Sequence, residues 1–109
     1  MNSVSKYDLE DRTFRFAKNV RDYTKSVKLT PLNIDDIKQV IRSSGSIGAN
    51  YIEANEALSS KDFIHRVKIS RKEAKETIFW LKLLKAPDIL INEATELKKI
   101  LSAIIEKAK

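Results

Sequence analysis

Residues 42–84 read RSSGSIGANYIEANEALSSKDFIHRVKISRKEAKETIFWLKLL, a helix rich in Ser, Gly and Ala that runs into a second helix with three separate faces. In the second helix Phe63, Val67, Ser70, Ala74, Thr77, Leu81 and Leu84 recur at alternating spacings of four and three, the heptad seam by which one helix packs against antiparallel neighbours. At about 100° per residue, Lys61, Lys68, Arg71, Lys72, Lys75 and Lys82 share another arc, and Ile69, Trp80 and Leu83 a third, with Phe79 near the basic edge. A helix presenting three surfaces is expected to meet three kinds of neighbour.

Working outward from this stretch, the same periodicity gives four helices. The first, over 7–27, repeats Leu9, Thr13, Phe16, Val20, Tyr23 and Val27 and stops before Thr30-Pro31. The second, over 33–56, starts from Asn33 as N-cap with Asp35 and Asp36 in its first turn, and presents Ile37, Val40, Ile41, Ser44, Ile47, Gly48, Tyr51, Asn55 and Leu58. Gly45 and Gly48 each cost ~1 kcal/mol relative to Ala inside a helix, so they imply either close backbone approach or a break at Ser46. The third, over 60–85, starts from a Ser59-Ser60 cap and is closed by Pro87. The fourth, over 92–108, carries Leu90, Ala94, Leu97, Leu101, Ile104 and Ala108, with Ile100 and Ile105 beside them. Short connections force successive helices antiparallel. The predicted fold is all-α, an antiparallel up-down-up-down four-helix bundle occupying residues 1–109 as one domain.

With 109 residues, 42% of them hydrophobic and 33% charged, the chain has the profile of one soluble module. It lacks cysteine, which removes disulfides and thiolate metal sites. Its first ten residues are polar and mixed in charge, unlike a secretory signal, and no apolar run approaches the ~18 residues of a membrane span. A cytoplasmic location is expected.

The net charge of +6 is uneven: residues 1–33 carry seven basic and four acidic side chains, and residues 61–85 eight and three. The ridge from Lys61 to Lys82 suits phosphate tracking, because each cation that neutralises a phosphate releases condensed counterions. Arg12, Arg15 and Lys18 are candidates to extend it. The competing reading is an ordinary solvated face on which Glu73 and Glu76 pair locally with Lys72 and Lys75. Ile69, Phe79, Trp80 and Leu83 exceed what a bundle core absorbs and predict an oligomer interface; the alternative is that Trp80 closes the bundle end beside Pro87.

Catalysis is not expected. His65 lies on the polar flank of the third helix, no Glu-x-x-His pair of a di-metal bundle is present, and Ser43, Ser44 and Ser46 have no accompanying base and fit helix packing better. No metal or cofactor is predicted. Asn50 and Glu53 are read as structural polar residues, satisfying each other or a neighbouring helix end.

The motifs SxSIxAN with Glu53, SSKDFI and ISRKEAKETxFWLxLL resemble the four-helix-bundle proteins encoded in intervening sequences of bacterial 23S rRNA genes. The resemblance spans nearly the whole chain. It rests on Ser43, Ser44, Ser46, Ile47, Ala49, Asn50 and Glu53 in the second helix, and on Phe63, Ile64, Ser70, Glu73, Glu76, Thr77, Trp80 and Leu81 in the third. Members often have Pro at Gly48 and Gly at Ala54, so the local bend and the helix end are expected to differ here. The resemblance implies a ring-shaped homopentamer with a basic surface and no known catalytic activity. It extends to the accessory variability determinants of diversity-generating retroelements, which bind nucleic acid and a reverse transcriptase. Two functions are therefore expected in competition: a homo-oligomer that binds RNA or DNA backbone with low sequence specificity, or a protein-binding scaffold whose basic face is solvated surface.

Overall fold

A computed structural model describes residues 6–109 as four α-helices: α1 (Lys6–Lys25), α2 (Ile34–Asn55), α3 (Ser60–Leu83) and α4 (Asp88–Ala108). Residues 1–5, part of the segment judged unlike a secretory signal, lie outside the described residues. No strand occurs among the described residues, and no helix there is long and apolar enough to cross a membrane. Each helix packs on its sequence neighbour and α1 closes weakly on α4, while α1 and α3 stand on opposite corners, meeting near one end, where the Tyr23 hydroxyl donates to the carbonyl of Leu84, the α3 C-cap, at 3.4 Å. The result is an antiparallel four-helix bundle with α2 and α3 as its most extensively packed pair.

The predicted seams form the core. Leu9, Thr13, Phe16 and Val20 of α1, Ile37, Val40, Ser44, Ile47 and Tyr51 of α2, and Val67, Ser70, Ala74, Thr77 and Leu81 of α3 are buried. In α4 the seam runs through Leu90, Ala94, Leu97 and Leu101 to Ile105 rather than Ile104. Leu58, assigned above to the α2 face, lies beyond the helix end and is 101% exposed.

Small hydroxyl residues let α2 and α3 approach and bond across their contact. Ser70 Oγ donates to the Ile47 carbonyl at 2.7 Å, and Thr77 Oγ1 lies 2.8 Å from Ser43 Oγ. Each of these hydroxyls is fully buried, so each bond prevents an unmet polar group that would cost roughly 1–3 kcal/mol. Ser43 is thereby a packing residue of this contact, and Ser44, equally buried, donates to the Ile41 carbonyl of its own helix at 3.2 Å.

Helices α1 and α3 stop at Lys25 and Leu83, two residues short of the predicted 27 and 85, which leaves Val27 beyond its helix; two further departures have a local cause. Asn33 does not cap α2 with its side chain, because its Oδ1 accepts the Thr30 N–H at 2.9 Å and its Nδ2 donates to the Lys28 carbonyl at 3.0 Å; it ties the loop instead. The fourth helix begins at Asp88, not 92. The cause lies at the end of α3, where Lys85 adopts a left-handed φ of 55°. The Ala86 N–H then reaches the Leu81 carbonyl and the Lys85 N–H the Lys82 carbonyl, at 3.0 and 3.1 Å, the Schellman arrangement. That reversal compresses the connection, and Pro87 then stands directly ahead of the first turn of α4. The predicted Ser59 cap is present, accepting the Asp62 N–H at 3.1 Å.

Helix α2 passes Gly45, Ser46 and Gly48 without interruption. A Cβ on Gly48 would lie 2.8 Å from Thr13 Oγ1 and 3.2 Å from Thr13 Cβ. Thr13 is buried, with its hydroxyl bonded to the Glu10 carbonyl, so it has little room to yield. A Cβ on Gly45 would meet only the mobile end of Arg21, at 3.3 Å. Gly48→Ala is therefore expected to destabilise by roughly 1–3 kcal/mol through overpacking, whereas Gly45→Ala gains up to ~1 kcal/mol of helix propensity. Thermal denaturation followed by circular dichroism checks the opposite signs; equal shifts would show that α1 does not seat on Gly48.

Candidate nucleic-acid interface

The outward face of α3 is set by its core seam: with Ser70, Ala74 and Thr77 directed inward, residues about half a turn away point to solvent. Lys61, Lys68, Lys72, Lys75 and Lys82 are exposed there, and Arg71 is half-buried with its Nη1 3.4 Å from Ser102 Oγ of α4. Lys68, Arg71, Lys72 and Lys75, with Glu76, Phe79 and Trp80, line an open groove of about 550 Å³.

The acids of α3 do not neutralise this ridge. The competing reading paired Glu73 and Glu76 with Lys72 and Lys75, but both turn to α2, where Arg42 Nη1 meets Glu73 Oε1 at 3.1 Å and Arg42 Nη2 meets Glu76 Oε1 at 2.8 Å. Glu73 lies on the α2 side of the α3 seam, away from the lysines, whereas Glu76 borders the same groove as Lys72 and Lys75 and reaches across to Arg42. Among the described residues the five ridge lysines make no ion pair. One acid of α4 feels the ridge. The Glu106 carboxyl is held below its usual range first by the hydrogen bond from Lys109, with Arg71 and Lys68 adding weaker Coulombic pull.

Arg12, Arg15 and Lys18 do not extend the ridge within one chain. They belong to α1, diagonal to α3. Arg12 is held by Glu93 of α4 through two bonds of 2.7 and 2.8 Å, which also raise its guanidinium pKa, and Arg15 pairs with Asp11 at 2.8 Å.

The four expected interface residues separate. Phe79, 56% exposed, stands among the ridge lysines. Trp80 is half-buried against the core, with its Nε1 buried and without a hydrogen-bond partner. Ile69 is half-buried and Leu83 exposed. Phe79 and Trp80 are nonetheless in contact, their rings meeting edge to face, and both line the groove of the ridge.

Asn50 and Glu53 do not satisfy each other. Asn50 Nδ2 donates to the Ser46 carbonyl one turn back in its own helix at 2.9 Å, and Glu53 is exposed. The α2 carboxamide that does link helices is Asn55, whose Nδ2 donates to Glu10 Oε2 at 2.8 Å. His65 is exposed. Among the described residues no cluster of three His, Cys, Asp or Glu side chains could hold a metal.

One surface was not anticipated. Ala17, Gly45, Gly48 and Ala49 floor a groove of about 410 Å³ between α1 and α2, flanked by Phe14 and Ile52, with Phe14 67% exposed. Its signal in the sequence is two large apolar residues off the seams of adjacent helices, beside positions too small to cover them.

A family model described as 23S rRNA-intervening sequence protein matches residues 5–109. A crystal structure of a protein of unknown function from the S23 ribosomal protein family of Bacteroides thetaiotaomicron superposes with a TM-score of 0.83 at 34% identity, covering 93% of this chain and 97% of that one. No curated protein matches the chain. The bundle, the small-residue contact of α2 with α3 and the matched span agree: the chain belongs to the 23S rRNA-intervening sequence protein family.

Proposed function

We propose that this protein is a non-enzymatic, cytoplasmic homo-oligomer that binds the backbone of RNA or DNA through the α3 ridge of Lys61, Lys68, Arg71, Lys72, Lys75 and Lys82. The observation that carries the reading is the diversion of Glu73 and Glu76 to Arg42, which leaves the five ridge lysines without an ion pair among the described residues. Such a row contacts phosphates in register and reads no base edge, so sequence specificity is low. Self-association, with a pentamer as the preferred state, is assigned to Ile69, Trp80 and Leu83; copies arranged about an axis would add their fields.

Fluorescence anisotropy of a structured RNA and a duplex DNA at about 50 and 200 mM salt tests the reading. About six phosphate contacts lose on the order of 10³-fold in affinity over that interval. Absence of binding at the lower salt overturns it. A protein-binding scaffold then takes first place, a reading favoured by exposed Phe14 and Ile52 beside the α1–α2 groove.

A further inference from the structure

Phe79 is placed where an ordinary solvated lysine face has no use for it. It follows Lys72 by seven residues and Lys75 by four, and precedes Lys82 by three, so these cations stand directly above and below it on the helix surface. It lines the same groove as Lys68, Arg71, Lys72 and Lys75. Its ring meets Trp80 edge to face, with centroids 5.0 Å apart and an interplanar angle of 77°, and Trp80 is itself packed on the core. Phe79 is thus braced on one side by the Trp80 ring while it is 56% exposed and lines the groove.

We infer that this groove takes an unpaired strand of nucleic acid, with a nucleobase stacked on Phe79 and the flanking phosphates on Lys68, Lys72 and Lys75. The inference rests on the proposed nucleic-acid reading and sharpens it. In a duplex the base faces are consumed by stacking within the helix, so a duplex offers the ridge phosphates and offers Phe79 nothing. An unpaired strand offers both, and a base on an aromatic ring is a sequence-tolerant contact because every base has a π-face. The single-strand complex gains the stacking interaction; the duplex complex leaves an apolar ring against a sugar–phosphate surface.

The test compares an oligoadenylate RNA of roughly 12 nucleotides, inside the ~4–16 that such sites span, with the same strand annealed to oligouridylate. Both are titrated at about 50 mM salt by anisotropy of an end label. The wild-type protein is expected to prefer the single strand by about tenfold, the lower part of the range for one base–aromatic stack. Trp80, the sole tryptophan, is expected to lose emission as a base arrives beside Phe79. Phe79→Leu abolishes the preference while keeping the duplex affinity, and Phe79→Tyr restores it. Equal affinities in the wild type, or an undiminished preference in Phe79→Leu, overturn the stacking site and leave the ridge standing. A drop in light-scattering mass for Phe79→Leu with the strand preference intact overturns it in favour of an interface between copies. Failure of either nucleic acid to bind the wild type removes the ridge itself, and this inference with it.

Discussion

The triple variant Lys68→Glu, Lys72→Glu, Lys75→Glu is expected to keep the wild-type fold and light-scattering mass and to bind nucleic acid roughly 10²- to 10³-fold more weakly at moderate salt, three proposed phosphate contacts being removed and three repulsions added. The fold survives because all three side chains are exposed and make no ion pair among the described residues. Exposed substitutions of this kind usually change stability by less than ~0.5 kcal/mol each. The mechanism has a second signature. Each lost contact lowers the slope of log affinity against log salt by ~0.9 on duplex DNA, so the variant's residual binding should be flatter in salt as well as weaker. Anisotropy across a salt series reads both, and circular dichroism with light scattering verifies the fold and the mass. If the variant binds with the wild-type affinity and slope, the ridge is not the contact surface, whatever else on the protein attracts nucleic acid.

What could be read from the chain divides along a physical line. Burial follows from periodicity within one helix, so the seams of α1 and α3 and the arc containing the ridge lysines were accessible from residue spacing alone. Partner choice across helices depends on the rotation and axial offset of two helices together, which spacing in either one does not encode. Arg42 illustrates this: nothing near it in sequence marks it as the partner of Glu73 and Glu76, more than thirty residues away. The local pairing with Lys72 and Lys75, offered by the competing reading, used the only neighbours a linear reading sees. Asn33 has the composition of an N-cap, yet its side chain was claimed by Thr30 and Lys28. Phe79 was legible at the basic edge from spacing alone, but its edge-to-face contact with Trp80 depends on side-chain rotamers that spacing does not encode. The Lys85 turn lacked the usual signal, since glycine is the common residue at a left-handed C′ position and lysine occupies it here.

Arg42→Met is expected to destabilise the bundle by about 2 kcal/mol and to weaken nucleic-acid binding although Arg42 lies outside the ridge. The stability cost comes from Glu73, whose side chain is only 9% exposed and would lose its cationic partner. Removing one partner of a fully buried pair costs ~3–5 kcal/mol; Arg42 is 47% exposed, and water reaching the site reduces the penalty. For a domain near this size, ~1 kcal/mol moves Tm by about 4 °C, so a fall of roughly 8 °C is expected. Arg15→Met supplies the contrast. Its bond to Asp11 joins two side chains that are 65% and 63% exposed, and such surface pairs contribute ~0.2–1 kcal/mol. The double variant Arg42→Met, Glu73→Met should recover most of the loss, since a buried pair replaced by apolar groups of similar volume is often neutral. The binding effect has a different origin. Without Arg42, Glu76 is released one turn from Lys72 on the same helix, the i, i+4 spacing at which carboxylate and ammonium pair, and one ridge cation is then internally neutralised. Thermal unfolding and anisotropy on the same three proteins separate these effects: the double variant regains stability but still carries free Glu76, so its affinity stays low. An Arg42→Met protein with unchanged Tm would mean that Glu73 finds another partner. Unchanged Tm and unchanged affinity together would remove Arg42 as the reason the ridge is open.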